Sequence, residues 1–114
     1  MSRKRPSRHA LATRALIFAA LGDETRLLVV TKLCDGAPQS ISRLTAGTDL
    51  TRQAVTKHLR VLADAGVVRS ERSGRESLFA LEPRPIEEMR NYLDSVSRQW
   101  DGALARLKAH VEKD

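Results

Sequence analysis

Apolar positions Val55, Leu59 and Leu62 recur at i, i+4 and i+7, which places them on one face of a helix that can sink into a core. Arg52, Gln53, Thr56, Lys57 and Arg60 recur on a face turned away from it. Thr51 is the expected N-cap of this helix and Gly66 its stop. Just upstream, a shorter helix is predicted from Ile41 to Ala46, burying Ile41 and Leu44, with Ser40 as its cap and Gly47-Thr48-Asp49 as the turn between the two. Further upstream the pattern predicts a helix from His9 to Leu21, with Leu11, Ala15, Phe18 and Ala19 along one side and Gly22 at its end. Asp23 then caps a second helix, Glu24 to Cys34, which buries Leu27, Val30 (or Leu28), Leu33 and Cys34 and closes at Gly36.

Past Gly66 the chain reads as two strands, Val67-Val68 and Leu78-Phe79-Ala80-Leu81, joined by a turn at Ser73-Gly74 that Arg72 and Arg75 flank. Pro83 and Pro85 mark the boundary of a final helix, Ile86 to about Val111. Its apolar positions are Ile86, Met89, Leu93, Val96, Trp100, Ala103 (or Leu104), Leu107 and Val111, at alternating steps of three and four. Such a helix is about 39 Å long, more than so small a domain can cover, and its coiled-coil-like seam predicts a second copy of the chain as the cover. The predicted fold is mainly α with a small β-hairpin wing, in the order helix-helix-helix-helix-strand-strand-helix. That is the layout of a winged helix-turn-helix. Residues 9–114 are expected to form its single domain, and residues 1–8 a disordered basic arm that either solubilises the chain or adds contacts to DNA.

Charge sharpens this picture. A chain of 114 residues with net charge +6 and few aromatic residues holds one small, mostly aliphatic core and favours an anionic partner. Residues 51–75 carry Arg52, Lys57, Arg60, Arg69, Arg72 and Arg75 against only Asp64 and Glu71, so the excess falls on one helix and one hairpin. Double-stranded DNA is the partner that such a distribution fits. Arg52, Gln53, Thr56 and Lys57 stand near the exposed start of the helix, where Arg and Gln suit bidentate readout of guanine and adenine. Ser40, Arg43, Thr51, Arg60, Arg72 and Arg75 are expected to hold phosphates and fix register. His58, next to the core-facing Leu59, is expected to pack or to touch a phosphate.

Cys34 is the only cysteine, so no internal disulfide forms and a reducing, cytoplasmic setting is expected, with Cys34 itself a small core residue. No apolar signal-peptide core follows the basic N-terminus, and no run approaches a membrane span. No Gly-rich phosphate loop, HExxH or serine elbow is present, and His9, His58 and His110 are far apart, so neither an enzyme nor a cofactor is expected. The alternative is a winged-helix module that binds proteins and no longer reads DNA. Such modules lose the basic side chains of the recognition helix and wing, and this chain keeps them.

The motifs Ala20-Leu21-Gly22-Asp23-Glu24-Thr25-Arg26-Leu27 and Thr51-Arg52-Gln53-Ala54-Val55-Thr56-Lys57-His58-Leu59-Arg60-Val61-Leu62, with Ala65-Gly66-Val67-Val68 and Gly74-Arg75-Glu76-Ser77-Leu78-Phe79, together resemble the ArsR (SmtB/ArsR-type) family of bacterial regulators over about residues 14–111. The resemblance implies a homodimer joined through its first and last helices, here by Leu11, Phe18, Met89, Leu93, Val96, Trp100, Leu104 and Leu107. It also implies paired recognition helices in successive major grooves of a partly palindromic operator, and repression of the protein's own or a neighbouring operon. Metal-sensing members carry a Cys-Val-Cys-like pattern in the positional helix, whereas Gln39-Ser40-Ile41-Ser42-Arg43-Leu44 has no soft ligand. In the last helix Asp94 is followed two residues on by Val96, and His110 stands alone beside Glu112 and Asp114, so no metal site is expected. The stretch Ser97 to Lys108 looks closest to a branch that senses no metal. A small-molecule effector stays open: Phe18, Tyr92 and Trp100 either fill a core or line an apolar pocket.

Overall fold

Four helices begin where a short polar side chain takes up a free amide three residues on. In the computed structural model, which describes residues 7–113, Ser7 accepts from Ala10 N–H at 3.1 Å, Asp23 from Arg26 at 3.0 Å, Ser40 from Arg43 at 3.2 Å and Thr51 from Ala54 at 3.0 Å. These caps set the starts of α1 (Arg8–Leu21), α2 (Glu24–Lys32), α3 (Ile41–Thr45) and α4 (Arg52–Asp64). α1 thus starts one residue ahead of expectation, and the rest of the predicted basic arm, residues 1–6, lies outside the described residues.

The buried faces of the first two helices differ from those predicted. α2 contains Leu27-Leu28-Val29-Val30, four apolar residues in a row, so its own period does not single out a face. Packing against α1 and α4 selects Val29 and, four residues on, Leu33, while Leu27 stays 50 % exposed and Leu28 is also at the surface. The helix ends at Lys32, so Cys34 falls in the following turn, its thiol exposed and directed at the Val30 carbonyl at 3.2 Å. Cys34 is therefore not a core residue. In α1 the buried positions are Ile17 and Ala20; Ala15 and Ala19 face outward and Phe18 is half-buried.

The hairpin is longer than predicted and gains a third strand. β2 (Val68–Ser73) pairs antiparallel with β3 (Glu76–Leu81), and β3 also pairs with a two-residue strand β1 (Gln39–Ser40), giving the order β1-β3-β2. Ser73 opposes Glu76, so Gly74-Arg75 is the two-residue turn, with Gly74 at φ 63°, a conformation that an L side chain resists. β1 brings the start of α3 against the middle of β3, with Gln39 opposite Phe79 and Ser40 opposite Leu78.

α5 (Pro83–Glu112) starts three residues before Ile86, because proline at the first helical position gives up an amide that has no partner there anyway. Glu82 precedes it; its N–H donates to Val67 O at 2.8 Å and its carboxylate accepts from Arg69 Nη1 at 2.9 Å. Met89, expected on the intermolecular seam, is only 5 % exposed and belongs to the core with Val29, Leu33, Leu44, Val55, Leu59 and Leu62. Here α5 is still crossing its own domain. Tyr92 then meets Phe18 of α1 with ring centroids 5.9 Å apart, under the Arg14 guanidinium. Beyond that point Leu93, Val96, Trp100, Leu104 and Leu107 are exposed.

Candidate nucleic-acid interface

α4 has two chemically opposite faces. Val55, Leu59 and Leu62 anchor it, each at most 1 % exposed, while Arg52, Gln53, Lys57 and Arg60 are exposed to solvent. α3 lies beside it, held at its far end by Lys32 Nζ, which donates to the carbonyls of Leu44 at 3.1 Å and Ala46 at 2.9 Å. That role is not legible in the sequence, since a lysine ending a helix has no period to read. Thr56 is half-buried, and its hydroxyl donates to Arg52 O at 2.7 Å.

His58 is separate from the basic face. It is half-buried toward α2, with Nδ1 3.4 Å from Arg26 Nη1 and 3.7 Å from Asp23 Oδ2. Arg26 also donates from Nε to Ala20 O at 2.5 Å and from Nη2 to Ala19 O at 3.4 Å, so it joins the last turn of α1, the first of α2 and the middle of α4. The Arg26 amide that Asp23 accepts holds the Asp23 carboxyl below the usual carboxylate range. Desolvation opposes this, and the positive charge of Arg26 and the nearby His58 reinforce it. Arg26 was visible as a motif residue, but nothing in the sequence pointed to His58 as its partner.

The wing supplies exposed Arg72 and Arg75. Arg69 is already committed: it donates to Glu82 at 2.9 Å and Glu71 at 3.1 Å, and those bonds, Glu82 first, raise its pKa. Its charge is matched within the hairpin. Arg52, at the other edge of the site, donates from Nη2 to Ser42 Oγ. It lines an open groove of about 270 Å³ that Ser40, Ile41 and Ser42 border on one side and Arg75, Glu76 and Ser77 on the other. Ser40 and Thr51 spend their side-chain oxygens as caps, and Arg43 offers its exposed side chain beside Ser40. The structure thus brings Ser40, Arg52 and Arg75 together and leaves Arg60 and Arg72 apart from that groove.

On α5, Asp94, His110 and Glu112 are exposed; among the described residues no three His, Cys, Asp or Glu side chains group as metal ligands. Asp114 lies outside the described residues. No helix of the described chain is long and apolar enough to cross a membrane.

The family model described as "Helix-turn-helix domain" matches residues 13–71. An HTH-type transcriptional regulator of Mycobacterium tuberculosis is 34 % identical over 97 residues, covering 85 % of this chain and 87 % of that protein. The HTH-type transcriptional repressor SmtB of the same species is 29 % identical over 99 residues, 87 % of this chain and 71 % of its own length. Among solved structures, an ArsR-like transcriptional regulator from Rhodococcus sp. RHA1 superposes with a TM-score of 0.74 at 37 % identity, covering 88 % of this chain and 93 % of that one.

Proposed function

Since the chain belongs to the ArsR family of winged helix-turn-helix transcriptional regulators and is a DNA-binding regulator, we propose that it is a cytoplasmic homodimeric repressor of its own or a neighbouring operon. The observation that carries this reading is the division of α4, whose apolar side is locked into the core while Gln53, Lys57 and Arg60 stand free on the other. A helix so anchored presents side chains to the major groove without paying to order itself. Two copies joined along the exposed stripe of α5 and along α1, which offers Leu11 and Phe18, would set two such helices on a partly palindromic operator. Gln53 and Lys57 take base edges in this reading, and Arg43, Arg60, Arg72 and Arg75 take phosphates. Of the two roles expected of His58, packing is the one this reading favours, because its Nδ1 is directed at Arg26 and Asp23.

Binding to the DNA just upstream of its own gene, with random DNA in excess, tests the reading. A retained complex of one dimer per site is expected; equal loss to random DNA would refute self-regulation. SmtB's name describes a repressor, and this supports repression over activation. The regulator is proposed not to respond to metal, since the positional helix lacks a soft ligand and His110 stands alone on α5. Equilibrium dialysis against micromolar zinc is expected to show no tight stoichiometric ion, and one tight ion per chain would contradict it. Phe18 and Tyr92 pack on each other, while Trp100 is 63 % exposed two turns further along α5, so the three do not share one pocket within a single chain.

A further inference from the structure

We infer that the groove between the start of α3 and the wing seats one phosphate group of the DNA backbone, with Arg52 and Arg75 as its ligands and Ser42 as the residue that positions Arg52. This rests on the DNA-binding reading and changes one role within it. By sequence position Arg52 is a candidate reader of guanine; the geometry makes it a backbone residue.

The groove owes its existence to β1. Because Ser40 opposes Leu78, the chain leaving β1 for α3 runs past Ser77 and Glu76 on β3. Arg52, the first residue of α4, enters the same groove from the third side. Arg52 donates from Nη2 to Ser42 Oγ, which ties its guanidinium to the α3 side of the groove it lines and leaves its remaining donors for an oxygen held there. Arg75 faces it from the wing turn, and the Ser40 and Ser77 residues border the same space.

Size and charge agree. The open volume of about 270 Å³ is several times the ~30 Å³ of one water molecule, enough for a phosphate and its hydration. Glu76 lines the groove too, and its carboxylate opposes an anion. Two guanidiniums against one carboxylate still leave the groove positive. Glu76 therefore tunes the affinity downward without cancelling it. Arg69, the neighbouring cation of the wing, is held by Glu71 and Glu82 and does not contribute.

The test begins with the full chain selecting its duplex from a random-sequence pool. Affinity for that duplex is then measured across a salt series, beside single-base variants of the duplex. Arg52→Ala and Arg75→Ala are each expected to lower the slope of log affinity against log salt by about one per chain, without changing the ranking of the base variants. Ser42→Ala is expected to lower the slope by less, Arg52→Lys to keep it, and Glu76→Gln to tighten every duplex alike. An Arg52→Ala protein that keeps its slope but loses discrimination at one base pair overturns the assignment while DNA binding stands. A wild-type chain that retains no duplex at all refutes the DNA reading itself, and this site with it. Exchange of chloride for inorganic phosphate at constant ionic strength separates the two sources of the group. Affinity should hold within about twofold if the groove is a backbone seat, as screening is then unchanged. A loss of about tenfold that Arg52→Ala abolishes would identify a free-phosphate site and overturn the backbone assignment.

Discussion

Arg26 and His58 meet across the junction of α2 and α4, with Nη1 of the guanidinium 3.4 Å from Nδ1 of the imidazole. A guanidinium can only donate, so a bond here requires Nδ1 as acceptor and the ring proton on Nε2. Nitrogen-15 NMR above neutral pH should therefore find His58 as the Nε2–H tautomer, and Arg26→Ala should mix the two tautomers. A ring protonated at Nδ1 in the wild-type protein would contradict the pairing.

Arg26 also serves the carbonyls of Ala19 and Ala20 at the end of α1. Removing it strips charged hydrogen bonds from a helix end, and Arg26→Ala is expected to cost about 2 kcal/mol. Arg26→Lys should recover only part, since one ammonium cannot span the α1 carbonyls and His58 together. Urea unfolding of the three proteins measures both losses.

Asp23 links stability to pH. Its folded pKa lies below its unfolded one, so the unfolded chain binds the proton more readily and the stabilisation is complete only above the unfolded carboxylate's pKa of about 3.9. It is lost as pH falls through the lower folded value. Asp23→Asn keeps a capping oxygen but removes the titration. The variant should lose less stability than wild type over that acid window, measured as the unfolding midpoint against pH; parallel profiles would show that Asp23 is not the linked group.

Thr51 caps the DNA-facing helix through a 3.0 Å bond to Ala54 N–H. Thr51→Ala should lower stability by about 1 kcal/mol, and Thr51→Ser should restore most of it. Duplex affinity should fall in Thr51→Ala, since its frayed first turn carries Arg52 and Gln53.

Leu107 is 58 % exposed on α5, so Leu107→Glu should leave the single-chain fold intact while charging the proposed seam. Sedimentation should then show a monomer, with duplex affinity reduced by about a hundredfold or more through lost bivalency. A Leu107→Glu protein that stays dimeric would place the seam elsewhere.

The legible parts of this molecule are those with a period. Val55, Leu59 and Leu62 fixed the buried side of α4, and the steps from Leu93 to Leu107 marked a face that the single chain leaves exposed. α2 hides its buried side because Leu27 to Val30 are all apolar, so only its neighbours decide that Val29 goes inward. β1 escaped notice because two polar residues, Gln39 and Ser40, carry no alternation at all. The outer part of β2, Arg69 to Ser73, is exposed along its length and gives no alternating pattern either. For the site, residue types were enough to find the basic face. They could not show that Arg69 is matched by Glu82, that His58 faces Arg26, or that Arg52 turns toward Ser42.

α5 runs well past the domain in which it begins. From Met89, where it enters the core, to Glu112 is about 35 Å at 1.5 Å per residue. Beyond Tyr92, whose ring meets Phe18, the apolar side chains Val96, Trp100, Leu104 and Leu107 are exposed within one chain. Those outer turns rest on their own backbone bonds, so in a lone chain they are the part of the helix that frays first.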